Sequence, residues 1–188
     1  MITSNRVSKI ALALLCALLW CAGNVRAEEI IVSVADQELA LIDHAKISAR
    51  YPISTSKFGN GDDIGTYRTP LGLMYVSAKL GDGLPGGAVI KSRIATGEVI
   101  APDAPGRDPI VSRVRWLRGK EIQNRNARER CIYIHGTQEE KRIGRPASYG
   151  CIRMKSKDVI ALYGRVHIGA PVRITEKRLA EFLPPQEE

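Results

Sequence analysis

Three side chains in the second half of this chain could do covalent chemistry: Cys131, His135 and Cys151. Two thiols and a histidine have three uses: a disulfide, a metal site, or a nucleophile with its base. Spacing sets these against one another. The run Cys131-Ile132-Tyr133-Ile134-His135 reads as a strand ending at Gly136, which puts Cys131 and His135 on one face about 13 Å apart. Zinc holds its ligands within about 2.3 Å, so one ion cannot take both. A bridge needs Cα atoms about 5.5 Å apart, so Cys151 would struggle to pair with Cys131 while its sulfur sits beside His135. Spacing alone leaves the disulfide and the catalytic thiol both open.

The surroundings of Cys151 favour the thiol. They read Ser148-Tyr149-Gly150-Cys151-Ile152-Arg153-Met154. Gly150 permits a tight turn and leaves room beside the sulfur. Consecutive N–H groups at such a turn, those of Tyr149, Gly150 and Cys151, can converge as an oxyanion hole on an attacked carbonyl. The thiolate is the working nucleophile and needs a base or a positive charge nearby. His135, at a strand end, is that base. Ser148 and Thr137 lack the base-and-orienter set a serine or threonine nucleophile requires. His44 and His167 read as surface residues.

The elements that must position these groups are mostly strands. Ile30 to Val34, Glu38 to Asp43 and Ile47 to Ile53 form a meander, with a turn at Asp36-Gln37. Gly59 to Asp63 is a loop by composition, and Leu71 to Leu80 is a long strand. Gly81 to Pro109 is dense in Gly and Pro and reads as a long irregular insertion, a candidate lid. Val111 to Leu117 resumes strand character. Helical signals come late: Ser156 as cap of a helix through Val159 and Leu162 stopped at Gly164, then a last strand at Pro171 to Thr175 and a short turn of helix at Leu179 to Phe182. This is one mainly β domain with a few short helices near its carboxyl end.

Ile134-His135-Gly136-Thr137 followed by Ser148-x-Gly150-Cys151-Ile152-Arg153-Met154 resembles the signature of the L,D-transpeptidase (YkuD-type) catalytic domain. Tyr51 to Lys57, Gly65 to Gly72 and the run to Glu98 resemble that family too, so the likeness covers roughly Glu29 to Thr175. The resemblance implies a single β-sandwich or barrel-like domain over residues 28–188, with Cys151 as nucleophile and His135 as base. It implies that the Gly136 carbonyl orients the imidazole and that Arg153 shapes the pocket. Arg153 could equally make an ion pair or meet a substrate carboxylate. Ser148, Tyr67 and Thr69 join it as candidate substrate-binding residues. The substrate class is the peptidoglycan stem peptide, as acyl donor and amine acceptor. A wall-anchored lipoprotein lysine, a free D-amino acid or water are the other acceptors, water giving an L,D-carboxypeptidase or an amidase. No cofactor or metal is implied. One departure stands out: the family usually carries histidine immediately before Gly-Cys, and this chain carries Tyr149. A catalytically weakened wall-binding module is the reading of another class.

Composition bounds these readings. The 188 residues suit one domain, and 26% charged residues with ample Val, Ile and Leu argue against disorder. Arg6 and Lys9 precede an apolar run from Ile10 to Ala22, which as a helix spans only about 20 Å. With small residues at Val25-Arg26-Ala27 it reads as a cleavable signal peptide, residues 1–27, and not as a stable membrane span. Leu15 and Trp20 are too bulky for a lipid-attachment signal before Cys16 or Cys21. Loss of Arg6, Lys9 and Arg26 lowers the net charge from +8 to +5. Export places the protein in the periplasm or cell envelope and makes nucleic acid an unsuitable partner. The seven basic residues between Arg113 and Arg130 are a solvated face or an attraction for anionic wall peptides. A monomer is expected.

Overall fold

The computed structural model describes residues 28–44 and 46–182; the expected signal peptide, with Cys16 and Cys21, lies outside them. β1 (Glu29–Ser33) and β2 (Glu38–Asp43) carry short apolar runs and β3 (Lys46–Ser54) alternates exposed and half-buried residues; together they form the meander. In β2, Leu39 and Leu41 point into the main core, while Ala40 faces a smaller cluster with Ile31 and Leu179 on the other side. This is the period of two that a strand imposes. The other strands are β4 (Gly72–Leu80), β5 (Ala88–Lys91), β6 (Ile94–Val99), β7 (Ile110–Gly119), β8 (Tyr133–Thr137), β9 (Ile152–Met154) and β10 (Pro171–Thr175).

All ten strands belong to one sheet, ordered β4-β10-β1-β2-β3-β9-β8-β7-β5-β6, and β4 also pairs with β7. That extra pairing closes the first eight strands of the order into a ring, so the expected mainly β, barrel-like architecture is what the chain adopts. Closure removes the open edges of those eight strands, while β5 and β6 extend from β7 outside the ring and leave β6 at an edge. β7 is long enough to serve two partners: its carboxyl part pairs with β4 and its start, Ile110 and Val111, with β5. Two pairings are parallel, β1 with β10 and β8 with β9.

The single α-helix among the described residues, α1 (Ser156–Arg165), buries Val159, Leu162 and Tyr163 on one face, the i, i+3, i+4 stripe of an amphipathic helix. Val159 and Leu162 join Ile134, Ile152 and Met154 in the main core. Ser156 is the first helical residue and Lys155 the cap position. The Ser156 N–H instead donates to Glu140 Oε1 at 2.8 Å.

Besides the expected Ser156 cap, which is the helix's first residue and makes no side-chain cap bond, two sequence expectations need correction. The segment from Gly81 to Pro109 is not irregular throughout, because β5 and β6 form a hairpin within it. Its turn uses Ser92 (φ 51°) and Arg93 (φ 68°). Two successive positive φ values are what a tight hairpin turn requires, but without glycine or asparagine the sequence carries no signal for it. Cys131 does not belong to the strand either. It sits in the preceding turn at φ 56°, its N–H bonded to Arg128 O at 3.2 Å, and β8 begins at Tyr133.

Candidate active site

The parallel register of β8 and β9 sets Ile134 opposite Ile152 and His135 opposite Arg153. Ile134 and Ile152 point into the main core. Their neighbours in sequence therefore point the other way, placing Tyr133, His135, Cys151 and Arg153 on one face. Cys151 lies one residue before Ile152, so its Cα is two steps along and one strand across from that of His135. Strand geometry puts that separation at about 8 Å, close enough for the two side chains to meet over the face.

His135 is buried, and its Nδ1 lies 2.8 Å from Gly136 O. A carbonyl can only accept, so Nδ1 carries the proton and Nε2 keeps its lone pair. Burial pushes the His135 pKa down to about 4, with the Arg153 charge adding to the effect and the Gly136 carbonyl and Asp108 opposing it. Burial likewise pushes the Cys151 thiol up to about 11, against the Tyr133 N–H and Arg153, which favour the thiolate. The resting pair is a neutral thiol and a neutral imidazole. Among the described residues the thiol's hydrogen-bond partners are the Tyr133 N–H, which donates to Sγ at 3.4 Å, and Cys131 O, which accepts from it at 3.4 Å. No hydrogen bond joins Cys151 Sγ to His135 Nε2 among the described residues, so the sulfur must leave Cys131 O before it can pass its proton to that nitrogen.

The turn that presents Cys151 is braced from both sides. Ser148 Oγ donates to Cys151 O at 2.6 Å and accepts from the Gly150 N–H at 3.2 Å. Thr69 Oγ1 donates to Gly150 O at 3.0 Å and accepts from the Ser56 N–H at 3.0 Å. Both hydroxyl residues are fully buried, and their hydroxyls hold the turn. Gly150 has φ +116°, and a Cβ there would lie 3.2 Å from Arg68 O; only glycine fits both the dihedral and the close approach. With the Gly150 N–H bonded to Ser148, the N–H groups of Tyr149 and Cys151 are the ones that no hydrogen bond engages among the described residues.

Arg153 is buried and forms ion pairs with Asp108 Oδ2 at 2.8 Å and Glu139 Oε2 at 3.1 Å. Two carboxylates flank the guanidinium, so of its two sequence readings the ion pair is the one present. Asp108 also accepts from Thr137 Oγ1 at 2.6 Å, which ties β8 to the segment before β7. Asp108 and Glu139 carry no motif that marks them in the sequence.

Tyr67 and Tyr149 remain exposed and form a cluster with Phe58 that sequence reasoning missed. Their relative exposures are 57%, 53% and 46%, and the ring centroids lie 5.5 to 5.7 Å apart. Lys57 Nζ sits 4.5 Å from the Tyr149 ring and donates to its hydroxyl at 3.2 Å. One of only two phenylalanines, next to a lysine in a polar stretch, was the available clue. On the other side of the turn, a cavity of about 260 Å³ is lined by Leu80, Ile90, Arg93, Val114, Cys131 and Tyr133 among others, so it borders the site through Cys131 and Tyr133. The β5–β6 hairpin supplies Ile90, Ser92 and Arg93 to this cavity and so flanks the site. Among the described residues, no group of three His, Cys, Asp or Glu is placed to hold a metal ion, and no helix is long and apolar enough to cross a membrane.

Comparison with known proteins bears on the family and the fold. The L,D-transpeptidase catalytic domain (YkuD) profile matches residues 27–174. The Bacillus subtilis (strain 168) protein YqjB, whose name places it among the L,D-transpeptidases, is 32% identical over 148 residues, covering 78% of this chain and 70% of that protein. In the crystal structure of L,D-transpeptidase 3 from Mycobacterium tuberculosis with a faropenem-derived adduct, 80% of this chain superposes on 60% of that one, with a TM-score of 0.51 and 20% identity. A mutant of the Enterococcus faecium L,D-transpeptidase gives a TM-score of 0.52 at 19% identity, over 79% of this chain and 50% of that one. The chain thus spans about half to three fifths of these solved chains, and at such identities the likeness is one of fold.

Proposed function

The chain belongs to the YkuD family of L,D-transpeptidase catalytic domains, and on that footing we propose that it is an exported cysteine L,D-transpeptidase acting on peptidoglycan stem peptides. The observation that carries the proposal is the tautomer of His135. With Nδ1 donating to Gly136 O, the lone pair on Nε2 belongs to the face that also carries Cys151, and a base oriented in this way is what a buried neutral thiol needs.

In the proposed reaction His135 Nε2 takes the proton from Cys151 as the sulfur attacks the carbonyl of the diaminoacyl residue before a terminal D-alanine. The Gly136 carbonyl holds the ring and stabilises the imidazolium that forms, as an orienting acceptor does in other nucleophile–base pairs. The N–H groups of Tyr149 and Cys151 are available for the developing oxyanion, an interaction worth about 3 kcal/mol per donor in comparable sites. The imidazolium returns its proton to the departing amine, D-alanine leaves, and a thioester on Cys151 remains. An amine acceptor, deprotonated by the same imidazole, resolves it. The exposed Phe58, Tyr67 and Tyr149 rings, with Lys57 among them, form a wall on the turn that carries Cys151, and it suits an acidic peptide. In this reading residues 1–27 are a cleaved signal peptide and the protein works in the periplasm.

The test is incubation of wild-type and Cys151→Ala proteins with purified tetrapeptide muropeptides, followed by mass spectrometry. Expected are D-alanine release and a cross-linked or amino-acid-exchanged product with wild type alone. Identical behaviour of the two proteins overturns the reading. Release of D-alanine without a new amide assigns water as the acceptor and makes the protein a carboxypeptidase.

A further inference from the structure

Cys131 is the second thiol among the described residues, and the mechanism above does not use it. Strand geometry would have held it away from Cys151, but its position in the turn, at φ 56°, brings it alongside. The Cys151 thiol donates to Cys131 O at 3.4 Å, and both residues pack on the cluster of Ile90, Val114 and Tyr133. Neither is bridged, and both are partly accessible. Cys131 also lines the cavity of about 260 Å³ beside the hairpin, which gives a small reagent a route to its sulfur. Among the described residues its sulfur contacts Glu129 O at 3.7 Å and the Tyr133 side chain, weak thiol hydrogen bonds that do not hold it against turning toward Cys151.

We propose that Cys131 is a resolving cysteine: when Cys151 is oxidised, Cys131 captures it as a reversible intramolecular disulfide. With a small disulfide RSSR as oxidant, the Cys151 thiolate attacks one sulfur, forms Cys151–S–SR and expels RS⁻. The Cys131 thiolate then attacks the Cys151 sulfur, forms the Cys131–Cys151 bond and expels the second RS⁻. The two protons from the protein thiols end on the two RSH released; the protein pair loses two electrons and RSSR gains them. The bond occupies the sulfur that the proposed reaction needs, so oxidation shuts the site and shields Cys151 from irreversible oxidation to sulfinic acid. The bridge needs only the two thiols; its consequence for catalysis rests on Cys151 being the nucleophile.

The experiment treats the reduced full chain with glutathione disulfide and reads thiol state by alkylation, intact mass and peptide mapping that separates Cys131 and Cys151 from Cys16 and Cys21. Wild type is expected to give a Cys131–Cys151 cross-linked peptide without a lasting glutathione adduct, reversed by dithiothreitol. Cys131→Ser is expected to keep a stable glutathione adduct on Cys151. A lasting adduct on Cys151 in wild type, a bridge between molecules, or thiols that stay free would overturn the proposal. Acylation by a carbapenem separates the two readings. Reduced protein that bridges but is never acylated contradicts the nucleophile, and protein that is acylated but never bridges contradicts Cys131.

Discussion

Holding His135 neutral inside the fold makes stability fall as the solution is acidified, through a window set by this ring. Its pKa lies at about 4 instead of 6.5, first because burial penalises the cation and then because Arg153 repels it. The side chain is 6% exposed, so solvent screening is slight. A depressed value on a base means that the unfolded chain takes up the proton first. Above about pH 6.5 both states hold a neutral ring and the contribution to stability is complete. As pH falls from about 6.5 to about 4, protonation draws the unfolded state down and the folded state does not follow; below that both are protonated and the loss is finished. The pKa gap corresponds to roughly 3 kcal/mol in all, of which about 2 kcal/mol is gone by about pH 5. The assay is urea denaturation of wild type and His135→Asn at about pH 7.5 and about pH 5. Asparagine places an amide N–H near the Nδ1 position, retains a donor for Gly136 O and does not titrate. Every other ionisable group is common to both proteins, so the difference between their pH dependences isolates the ring. Wild type should lose about 2 kcal/mol more than the variant between the two conditions. Parallel pH dependences would refute the claim that the ring is buried neutral, and with it the tautomer on which the mechanism stands.

Other expectations follow from the same geometry. With its pKa at about 11, Cys151 in a Cys131→Ser background should be alkylated by iodoacetamide about tenfold faster for each pH unit from neutrality upward; a plateau near neutral pH would instead reveal a preformed thiolate. Thr69→Val removes both buried hydrogen bonds at the turn and should lower stability by about 1–3 kcal/mol and slow carbapenem acylation, while Thr69→Ser retains both. Undiminished acylation of the valine variant would show that the turn is held by other means. Gly150→Ala places a Cβ at a φ of +116° and 3.2 Å from Arg68 O, and should cost at least about 1–2 kcal/mol, read as a fall in Tm. The Arg115 guanidinium is fully buried with no hydrogen-bond partner for its three nitrogens among the described residues, and packs on the Tyr163 ring at 5.2 Å. Arg115→Met removes that desolvation and should raise stability by about 1–2 kcal/mol by thermal unfolding; a decrease would mean the charge is satisfied in solution.

Much of the frame was legible because it depends on near neighbours in sequence. Glu38 to Asp43 is a short apolar run between two acids, and it is a strand with those bounds. The requirement for glycine before Cys151 is a local backbone property, visible in the φ of Gly150. The carbonyl that orients His135 is that of the next residue. The Ser92-Arg93 turn was illegible because those residue types do not favour the positive φ that the tight β5–β6 hairpin requires of them.

Chemical type and the surrounding motifs marked Cys151 and His135 as candidates, and the resemblance of those motifs pointed to the family that the comparisons show. What each supporting residue does was decided by partners far away in the chain. Thr69 braces a carbonyl 81 positions on, and Arg153 is neutralised by Asp108 and Glu139. The β4–β7 pairing turns a sheet into a ring. The thiol's pKa is raised because the fold takes much of the water from around it. Cys131 sits beside Cys151 because its turn ends the strand that alternation would have begun there. Burial and through-space pairing set the protonation state and reach of every reactive group here, and neither is a property of residue order until the chain has closed on itself.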